Sequence, residues 1–355
     1  GFIWLIFAVP VGVTGFAMTL IVLFRGHIPR RVMIALLVAV FCFGYWTLFR
    51  IDEFRADMQT TRRWRWDPTA EDLFMEELAT RQLSQPTNAD EPDADLLASP
   101  EWSGFRGRQR DGVQPGVVLK EDWDANPPKE LWRERIGPGW SSFSVAGNRL
   151  FTQEQRGERE AVVCYDADTG TQIWAHQYKS RFWEVIGGAG PRATPTLNNG
   201  SLFAYGATGI LLRLDPLDSA PIWKVNVAAE AEREPPTWGF SSSPLIAGDL
   251  VIVHAGGQGD KGLLAYDIET GRLRWTAPSG DHTYSSPHLA TLCGRTCVLM
   301  LSNKALEIFD PADGKLLGQH EWPFSGYRVV QPLVIGESSL LLGTATGGGT
   351  RKIEL

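Results

Sequence analysis

The residues of this sequence that are best suited to bind a ligand recur at one place in a set of repeats. Each repeat carries a proline, or Phe143 in the first copy, and a large aromatic or cationic residue stands three or four positions before it. Aromatic faces and guanidinium groups suit a planar anionic ligand or a peptide carboxylate, although packing and salt bridges at a rim would use the same residue types. The residues at or near this offset are Trp140, Arg192, Trp238, Phe240, His282, Tyr284 and Arg328.

We assign five of these residues to a ligand or partner site, namely Trp140, Arg192, Trp238, Tyr284 and Arg328. Two arginines that face one cavity repel each other unless an anion or an acidic side chain lies between them. The sequence therefore predicts that Arg192 and Arg328 together bind a small anionic ligand or a protein partner.

The four cysteines, Cys42, Cys164, Cys293 and Cys297, include no adjacent pair. Cys293 and Cys297 flank a predicted three-residue turn, so they could face each other across a hairpin. A disulfide would need Cα atoms within about 6–7 Å and an oxidising compartment. The sequence leaves a disulfide and two free thiols as alternatives.

No residue pattern predicts a catalytic residue or a metal ligand. The chain has no His-Glu-x-x-His and no paired Cys-x-x-Cys. Gly187-Gly-Ala-Gly190 does not open a helix after a strand, so we interpret it as a loop. The formal net charge of -7 leaves no excess of Lys and Arg to neutralise phosphates, which argues against a nucleic-acid partner.

Two repeated strings predict the elements that position the ligand-binding candidates. The first is an Asp-headed turn followed by a tryptophan, and its copies begin at Asp166, Asp215, Asp267 and Asp310, with Gly318 in the tryptophan position of the fourth. The second holds the Pro-equivalent positions 143, 195, 244, 287 and 332, which are 43 to 52 residues apart. A period in the forties with several strands per unit is typical of a β-propeller blade, so we predict an all-β propeller of four-stranded blades.

Each predicted blade has its own structural and functional positions. One tryptophan per repeat fills the gap between adjacent blades, which makes Trp132, Trp174, Trp223 and Trp275 structural docking residues. The proline strings start the innermost strands, so the residues just before them lie at one mouth of the central channel.

The first 50 residues predict a transmembrane helical hairpin. Gly1 to Phe24 and Val32 to Phe49 carry no charge, and 18 to 24 helical residues span the roughly 30 Å hydrocarbon core. We expect helices at about 1–24 and 32–49, with a signal peptide followed by a buried helix as the alternative. By the positive-inside rule, the arginine-rich loop between them is expected in the cytoplasm. The C-terminal domain is then expected on the periplasmic side of the inner membrane.

Residues 51–100 predict a juxtamembrane helix and an acidic linker. Asp67-Pro68 has the composition of a helix start, and Gln85 to Pro100 is acidic and proline-bearing. Trp64-Arg65-Trp66 fits either the membrane surface or an ordinary packing cluster. The propeller is then expected over residues 101–355.

The repeat strings resemble the tryptophan-docking repeats of the quinoprotein, or pyrroloquinoline quinone repeat, β-propeller family. Trp102-Ser-Gly-Phe-Arg-Gly-Arg-Gln-Arg-Asp-Gly112 resembles the opening of its membrane-anchored bacterial members. The repeats are also similar to those of the propeller lipoprotein of the outer-membrane β-barrel assembly machine. Family members usually close with seven or eight blades, whereas only about five fit here. We therefore expect a propeller that is incomplete at its C-terminus, in a chain that is truncated at both ends.

The resemblance implies two functions. A membrane-anchored interaction or scaffold propeller without its own chemistry is the first. The alternative is a dehydrogenase of alcohols or sugars that needs pyrroloquinoline quinone and calcium, and such enzymes typically carry adjacent cysteines and a calcium site of Glu, Asn and Asp. The chain lacks the cysteine pair, and Asp281 and Glu184 match the calcium ligands by type only. We therefore favour the scaffold and assign no cofactor, with pyrroloquinoline quinone and calcium as the alternative. We expect two partners, the lipid bilayer through residues 1–50 and a small anionic ligand or protein at the channel mouth.

Overall fold

The computed structural model describes residues 2–22, 27–54, 60–80, 94–344 and 348–355. Within these ranges the chain divides into two units, Gly1–Leu73 and Phe74–Leu355. Arg25 and Gly26 of the predicted loop, and most of the predicted acidic linker, lie outside the described residues.

The apolar N-terminal sequence forms two helices, α1 (Phe2–Val22) and α2 (Ile28–Thr47). They pack side by side, with Gly12 against the ring of Phe43 and Gly15 against the thiol of Cys42, where an added Cβ would clash or crowd its neighbour. Among the described residues α2 is the one helix long and apolar enough to cross a membrane, and the described apolar stretch of α1, Val9–Leu20, is shorter.

A β-hairpin that the sequence did not predict follows α2. Its strands are β1 (Phe49–Phe54) and β2 (Thr60–Trp64), which pair antiparallel. The next helix, α3 (Ala70–Thr80), contains the division between the units. It starts after Thr69 rather than at Asp67-Pro68, because Thr69 and Asp72 form a reciprocal capping box in which each side chain accepts the other's backbone N–H at 2.9 and 2.8 Å.

In the described part of the second unit, five antiparallel sheets of three or four strands have strands that follow one another in sequence, which confirms the predicted propeller blades. The first four sheets have four strands each and the fifth has three, and a short hairpin and two short helices lie outside them. The first blade contains β3 (Ser144–Ala146), β4 (Arg149–Arg156), β5 (Arg159–Asp166) and β6 (Gln172–Lys179). The second contains β9 (Thr196–Asn198), β10 (Ser201–Tyr205), β11 (Ile210–Leu214) and β12 (Pro221–Asn226), and the third β13 (Leu245–Ala247), β14 (Leu250–His254), β15 (Leu263–Asp267) and β16 (Leu273–Ala277). The fourth contains β17 (His288–Leu292), β18 (Arg295–Leu301), β19 (Ala305–Phe309) and β20 (Leu316–Glu321), and the fifth β21 (Leu333–Ile335), β22 (Ser339–Gly343) and β23 (Thr350–Glu354). The remaining elements are α4 (Ala94–Ala98), β7 (Trp183–Glu184), β8 (Gly188–Ala189) and α5 (Val227–Glu230).

The hydrophobic core lies between the blades rather than within them. One buried cluster joins Phe151 and Val162 of the first blade to Leu202 and Leu212 of the second. Equivalent clusters join the second blade to the third, the third to the fourth, and the fourth to the fifth. A single blade is too thin to bury both of its faces, so each sheet is stabilised by its neighbours.

Candidate binding site at the channel mouth

The first strands of adjacent blades are joined by a chain of hydroxyl hydrogen bonds. In the first three blades, the residue directly before the Pro-equivalent position donates its backbone N–H to the hydroxyl of the same position in the next blade. Ser142 donates to Thr194 at 3.1 Å, Thr194 to Ser243 at 3.0 Å, and Ser243 to Ser286 at 2.9 Å. The sequence prediction missed this role, although a hydroxyl residue directly before the Pro-equivalent position in four successive strings was its signal.

The segment Trp102–Gly112, which we call the plug segment, lies against the inner strands of several blades. Arg110 is 7% exposed, and its guanidinium donates to the carbonyls of Pro287 at 2.8 Å, Ser243 at 3.4 Å and Pro244. Burial lowers the pKa of Arg110 to about 10, so the side chain stays charged at neutral pH. One side chain thus ties the inner strands of the third and fourth blades to the opening segment of the domain.

A cavity of about 430 Å³ lies at the channel mouth, above this plug. Its walls are mostly apolar, and Phe105 of the plug segment contributes to its lining. The structure brings four of the five predicted site residues to this cavity: Trp140, Arg192, Trp238 and Tyr284.

The cavity-lining positions share one offset. Every residue that stands three positions before a Pro-equivalent position lines the cavity, and these residues are Trp140, Arg192, Ser241, Tyr284 and Val329. Side chains of an extended segment alternate in direction, so a shift by one residue points a side chain to the opposite side. The sequence interpretation treated residues three and four positions before the Pro-equivalent position as one set. That was wrong, because their side chains point to opposite sides.

Arg328 illustrates that error, because it stands four positions before Pro332 and does not line the cavity. Its side chain is fully buried between the rings of Trp322 and Phe324, with the guanidinium carbon 4.3 and 4.8 Å from the ring centroids, and it donates to the carbonyl of Trp322 at 2.5 Å. Phe240, also at an offset of four, is 3% exposed and packs against Tyr205. The predicted pair of arginines in one cavity is therefore wrong.

Arg192 does line the cavity, but its guanidinium N–H groups already donate to groups of the protein itself. It donates to the carbonyls of Gly188 at 2.9 Å, Ala189 at 3.2 Å and Trp238 at 3.3 Å, and it lies 3.4 Å from the carboxylate of Glu184. Its side chain is 7% exposed, and burial lowers its pKa. Arg192 thus holds the hairpin β7–β8 against the rim and offers little free charge to a ligand.

Two aromatic side chains, Trp238 and Tyr284, form part of the cavity wall, and Tyr327 and His282 pack against them. Trp238 stacks on Tyr284 and on Tyr327, with ring centroids 5.0 and 4.1 Å apart, and its backbone N–H donates to the Tyr284 hydroxyl at 3.1 Å. His282 packs its ring edge-on to Tyr284 at 4.9 Å. Burial raises the pKa of Tyr284, so this wall is uncharged at neutral pH. Sequence analysis missed Tyr327, which carries no repeat signal.

The four predicted docking tryptophans make one contact in common. Each indole Nε1–H donates to a backbone carbonyl in the Asp-headed turn of the following repeat, at 2.8 to 3.1 Å. The donor and acceptor pairs are Trp132 with Ala167, Trp174 with Pro216, Trp223 with Ile268, and Trp275 with Pro311. Gly318 occupies the equivalent register position in β20, where an added Cβ would meet open space.

Cys293 and Cys297 are both free thiols, and their hairpin differs from the predicted one. Leu292 pairs with Arg295, so the turn between β17 and β18 has two residues, Cys293 and Gly294, rather than three. Cys293 adopts a left-handed φ of 50° in the turn, while Cys297 pairs with Ala290 and is 3% exposed. The two side chains therefore do not face each other across the hairpin.

The donor set at the mouth does not fit pyrroloquinoline quinone with calcium. The quinone is a planar tricarboxylate, and Ca²⁺ needs six to eight oxygen ligands. The Glu184 carboxylate already accepts the backbone N–H groups of Ile186 and Gly187, and Asp281 accepts from the Asn303 amide at 2.8 Å. Among the described residues no group of three or more His, Cys, Asp and Glu side chains could hold a metal ion.

Comparisons with known proteins place these repeats in a family. A family model described as outer membrane protein assembly factor BamB matches residues 121–234 and 158–335, which together span more than half of the chain. The BamB of Burkholderia pseudomallei is 29% identical over 152 residues, which are 42% of this chain and 33% of the relative. The BamB of Yersinia pestis is 23% identical over 158 residues, 42% of this chain and 36% of the relative. The match spans about a third of these curated relatives.

Solved structures of similar propellers include two kinds of protein. The crystal structure of BamB from Moraxella catarrhalis superposes with a TM-score of 0.45 at 19% identity, covering 63% of this chain and 61% of that one. A quinohemoprotein alcohol dehydrogenase from Comamonas testosteroni gives 0.36 at 13% identity, covering 65% of this chain and 51% of that one. By its matched repeats, the chain belongs to the family described as outer membrane protein assembly factor BamB.

Proposed function

We propose that this chain is a membrane-anchored interaction module whose propeller binds a protein segment at the channel mouth. The exposed apolar rim of the cavity carries this proposal. Trp140 is 67% exposed, Ile186 71% and Val329 49%, and all three line one cavity. Large apolar side chains that remain exposed together around a concavity are typical of protein interaction sites, where a buried anchor is ringed by further contacts.

The chemistry of the cavity favours an apolar or aromatic anchor side chain over a small anion. The guanidinium of Arg192 is occupied by three carbonyls and Glu184, and stacked aromatic rings form another part of the wall.

The N-terminal unit supports the membrane part of the proposal. The helix α2 has the length and composition to cross a bilayer, and α1 packs against it. In the proposed arrangement both helices are inserted in the inner membrane and the propeller stands in the periplasm. The relatives are named outer membrane protein assembly factors, which is consistent with a module that brings proteins together in the cell envelope.

A photo-crosslinking residue in place of Ile186 tests the binding site in cells. We expect a discrete crosslinked product, because position 186 is exposed at the cavity. Leu217 is the matched control, since it is 52% exposed in the turn between β11 and β12, and the strand directions place that turn on the opposite end of the blade. Products from position 217 alone, or from neither position, would contradict a partner at the mouth. Loss of the crosslinked product from position 186 in a Trp140→Ala background would support binding of the partner at the mouth.

The dehydrogenase alternative gains no support from the described residues. The sequence has no adjacent cysteines. Glu184 and Asp281, the carboxylates that match calcium ligands by type, are already engaged by backbone and side-chain donors. The interaction module is therefore the function that the geometry favours.

A further inference from the structure

A second cavity, of about 330 Å³, lies between the plug segment and the inner strands of the second and third blades. The plug segment contributes Arg108 and Arg110 to its lining, and the other lining residues belong to residues 98–100, to β9 with the turn after it, and to β13. Its walls are mostly polar, unlike those of the mouth cavity. A volume near the lower end of the range for ligand pockets suits a small molecule better than a protein segment.

The charge of this lining is one-sided. Two arginines and no acidic residue line the cavity within the described part of the chain, although the whole chain carries a formal net charge of -7. The neighbouring acidic residues in the sequence, Glu101 and Asp111, do not line it, and they accept backbone N–H groups from Gly147 and Val113 at 2.9 Å each. Arginines that line one cavity repel each other, and an anion between them removes the repulsion.

Arg110 is a buried cation without a carboxylate partner. Its hydrogen bonds go to backbone carbonyls, and burial lowers its pKa with no carboxylate of the described residues to offset that effect. Arg192 at the mouth differs, because Glu184 and Glu160 counter the effect of burial on its pKa. Buried charges are ordinarily paired with opposite charges. Arg110 therefore leaves a positive charge at the cavity that an anion would neutralise.

Arg108 has hydrogen-bond donors that the protein does not use. Its Nη2 donates to the Ser99 hydroxyl at 2.9 Å and to the Pro100 carbonyl at 3.1 Å. Its Nε and Nη1 make no hydrogen bond to any described residue, and neither do the side-chain amides of Asn198 and Asn199, which line the same cavity. Guanidinium groups bind carboxylate and phosphate oxygens through paired hydrogen bonds, and amide N–H groups add single ones.

We propose that this cavity binds the carboxylate or phosphate group of a small molecule. Arg108, Asn198 and Asn199 donate hydrogen bonds to that group, and the fixed charge of Arg110 attracts it. The site is separate from the proposed partner site at the mouth, and it does not depend on membrane anchoring.

Isothermal titration calorimetry of the full chain in detergent micelles tests the site, with inorganic phosphate and succinate as probes in separate titrations at constant ionic strength. We expect saturable binding of at least one probe, and the tighter of the two identifies the preferred group. Arg108→Gln removes charge-assisted hydrogen bonds and should weaken that binding by about tenfold or more. Arg272→Gln is the matched control, since this exposed arginine lies in the turn between β15 and β16, and it should leave the affinity unchanged.

A second variant keeps the test decisive if Arg108→Gln does not fold. Asn199 adopts a left-handed φ of 45° in the two-residue turn between β9 and β10, so Asn199→Gly retains the turn and removes the amide. It should weaken binding by about two- to tenfold. A lack of saturable binding of either probe at millimolar concentration, or equal weakening by Arg272→Gln, would overturn the proposal.

Hydrogen–deuterium exchange with and without the bound probe locates the anion. We expect slower exchange in peptides that contain residues 99–108 and 196–199. Slower exchange in residues 184–192 alone would place the anion beside Arg192 in the mouth cavity. That result would overturn this site and leave the proposed protein partner to its own crosslinking test.

Discussion

At the scale of single residues, the propeller buries ionisable side chains that hydrogen bonds hold in place. Glu307 is 6% exposed, and its carboxyl accepts from the Ser279 hydroxyl at 2.6 Å and the Gly280 backbone at 3.2 Å. Burial raises the pKa of Glu307 from 4.5 to about 7 despite these donors. Desolvation therefore outweighs hydrogen bonding at this site, and the group is protonated in mildly acidic solution.

Glu307 predicts a dependence of stability on pH. Because its folded pKa lies above its unfolded value, the folded state binds more protons between pH 4.5 and 7. The stability that this group contributes is complete below pH 4.5 and is lost as the pH rises through 7. Between pH 5 and 8 we expect wild type to lose on the order of 3 kcal/mol relative to Glu307→Gln. Urea midpoints at both pH values measure the difference, and parallel curves for the two proteins would contradict it.

Trp174 predicts a large stability effect of a single side chain. It is 9% exposed, lies in the cluster shared by the first two blades, and donates to the carbonyl of Pro216 at 3.0 Å. Trp174→Ala should lower the free energy of unfolding by about 3–5 kcal/mol, as for other large-to-small core changes. Trp183, 62% exposed, supplies the control. If both alanine variants unfold at the wild-type denaturant concentration, Trp174 does not dock the blades.

At the scale of the elements, the blades depend on the hydroxyls that precede the inner strands. Ser243→Ala removes the acceptor of the buried Thr194 N–H. An unsatisfied buried donor costs about 1–3 kcal/mol, which a shift in thermal or chemical unfolding measures. Ser285→Ala is the matched control, since that hydroxyl is fully buried and has no hydrogen-bond partner among the described residues. A loss at position 285 that equals the loss at position 243 would disprove the role of the hydroxyl chain.

The elements also show how far local sequence can predict structure. The repeats predicted the blades and their order, because those features recur at fixed spacing. The hairpin β1–β2 has no repeat and was not predicted. Arg110 bonds to carbonyls 133 to 177 residues away, and no local pattern reports such a partner. Four of the five site residues line one cavity, whereas Arg328 does not, because the alternation of side chains in extended backbone was not applied to it.

At the scale of the whole molecule, the proposed topology places the propeller in the periplasm. Alkaline phosphatase fused after Trp102 should be active, because the enzyme folds only where disulfides can form. Green fluorescent protein fused at the same site should fluoresce only if that site lies in the cytoplasm. An inactive phosphatase fusion together with a fluorescent one would place the propeller on the cytoplasmic side.

The plug segment contributes to the mouth although it belongs to no blade. Arg110 ties this segment to the starts of the third and fourth blades, and Phe105 lines both the mouth cavity of about 430 Å³ and the second cavity of about 330 Å³. A partner segment at the proposed site would therefore contact the plug segment as well as the blades, and its affinity would depend on both.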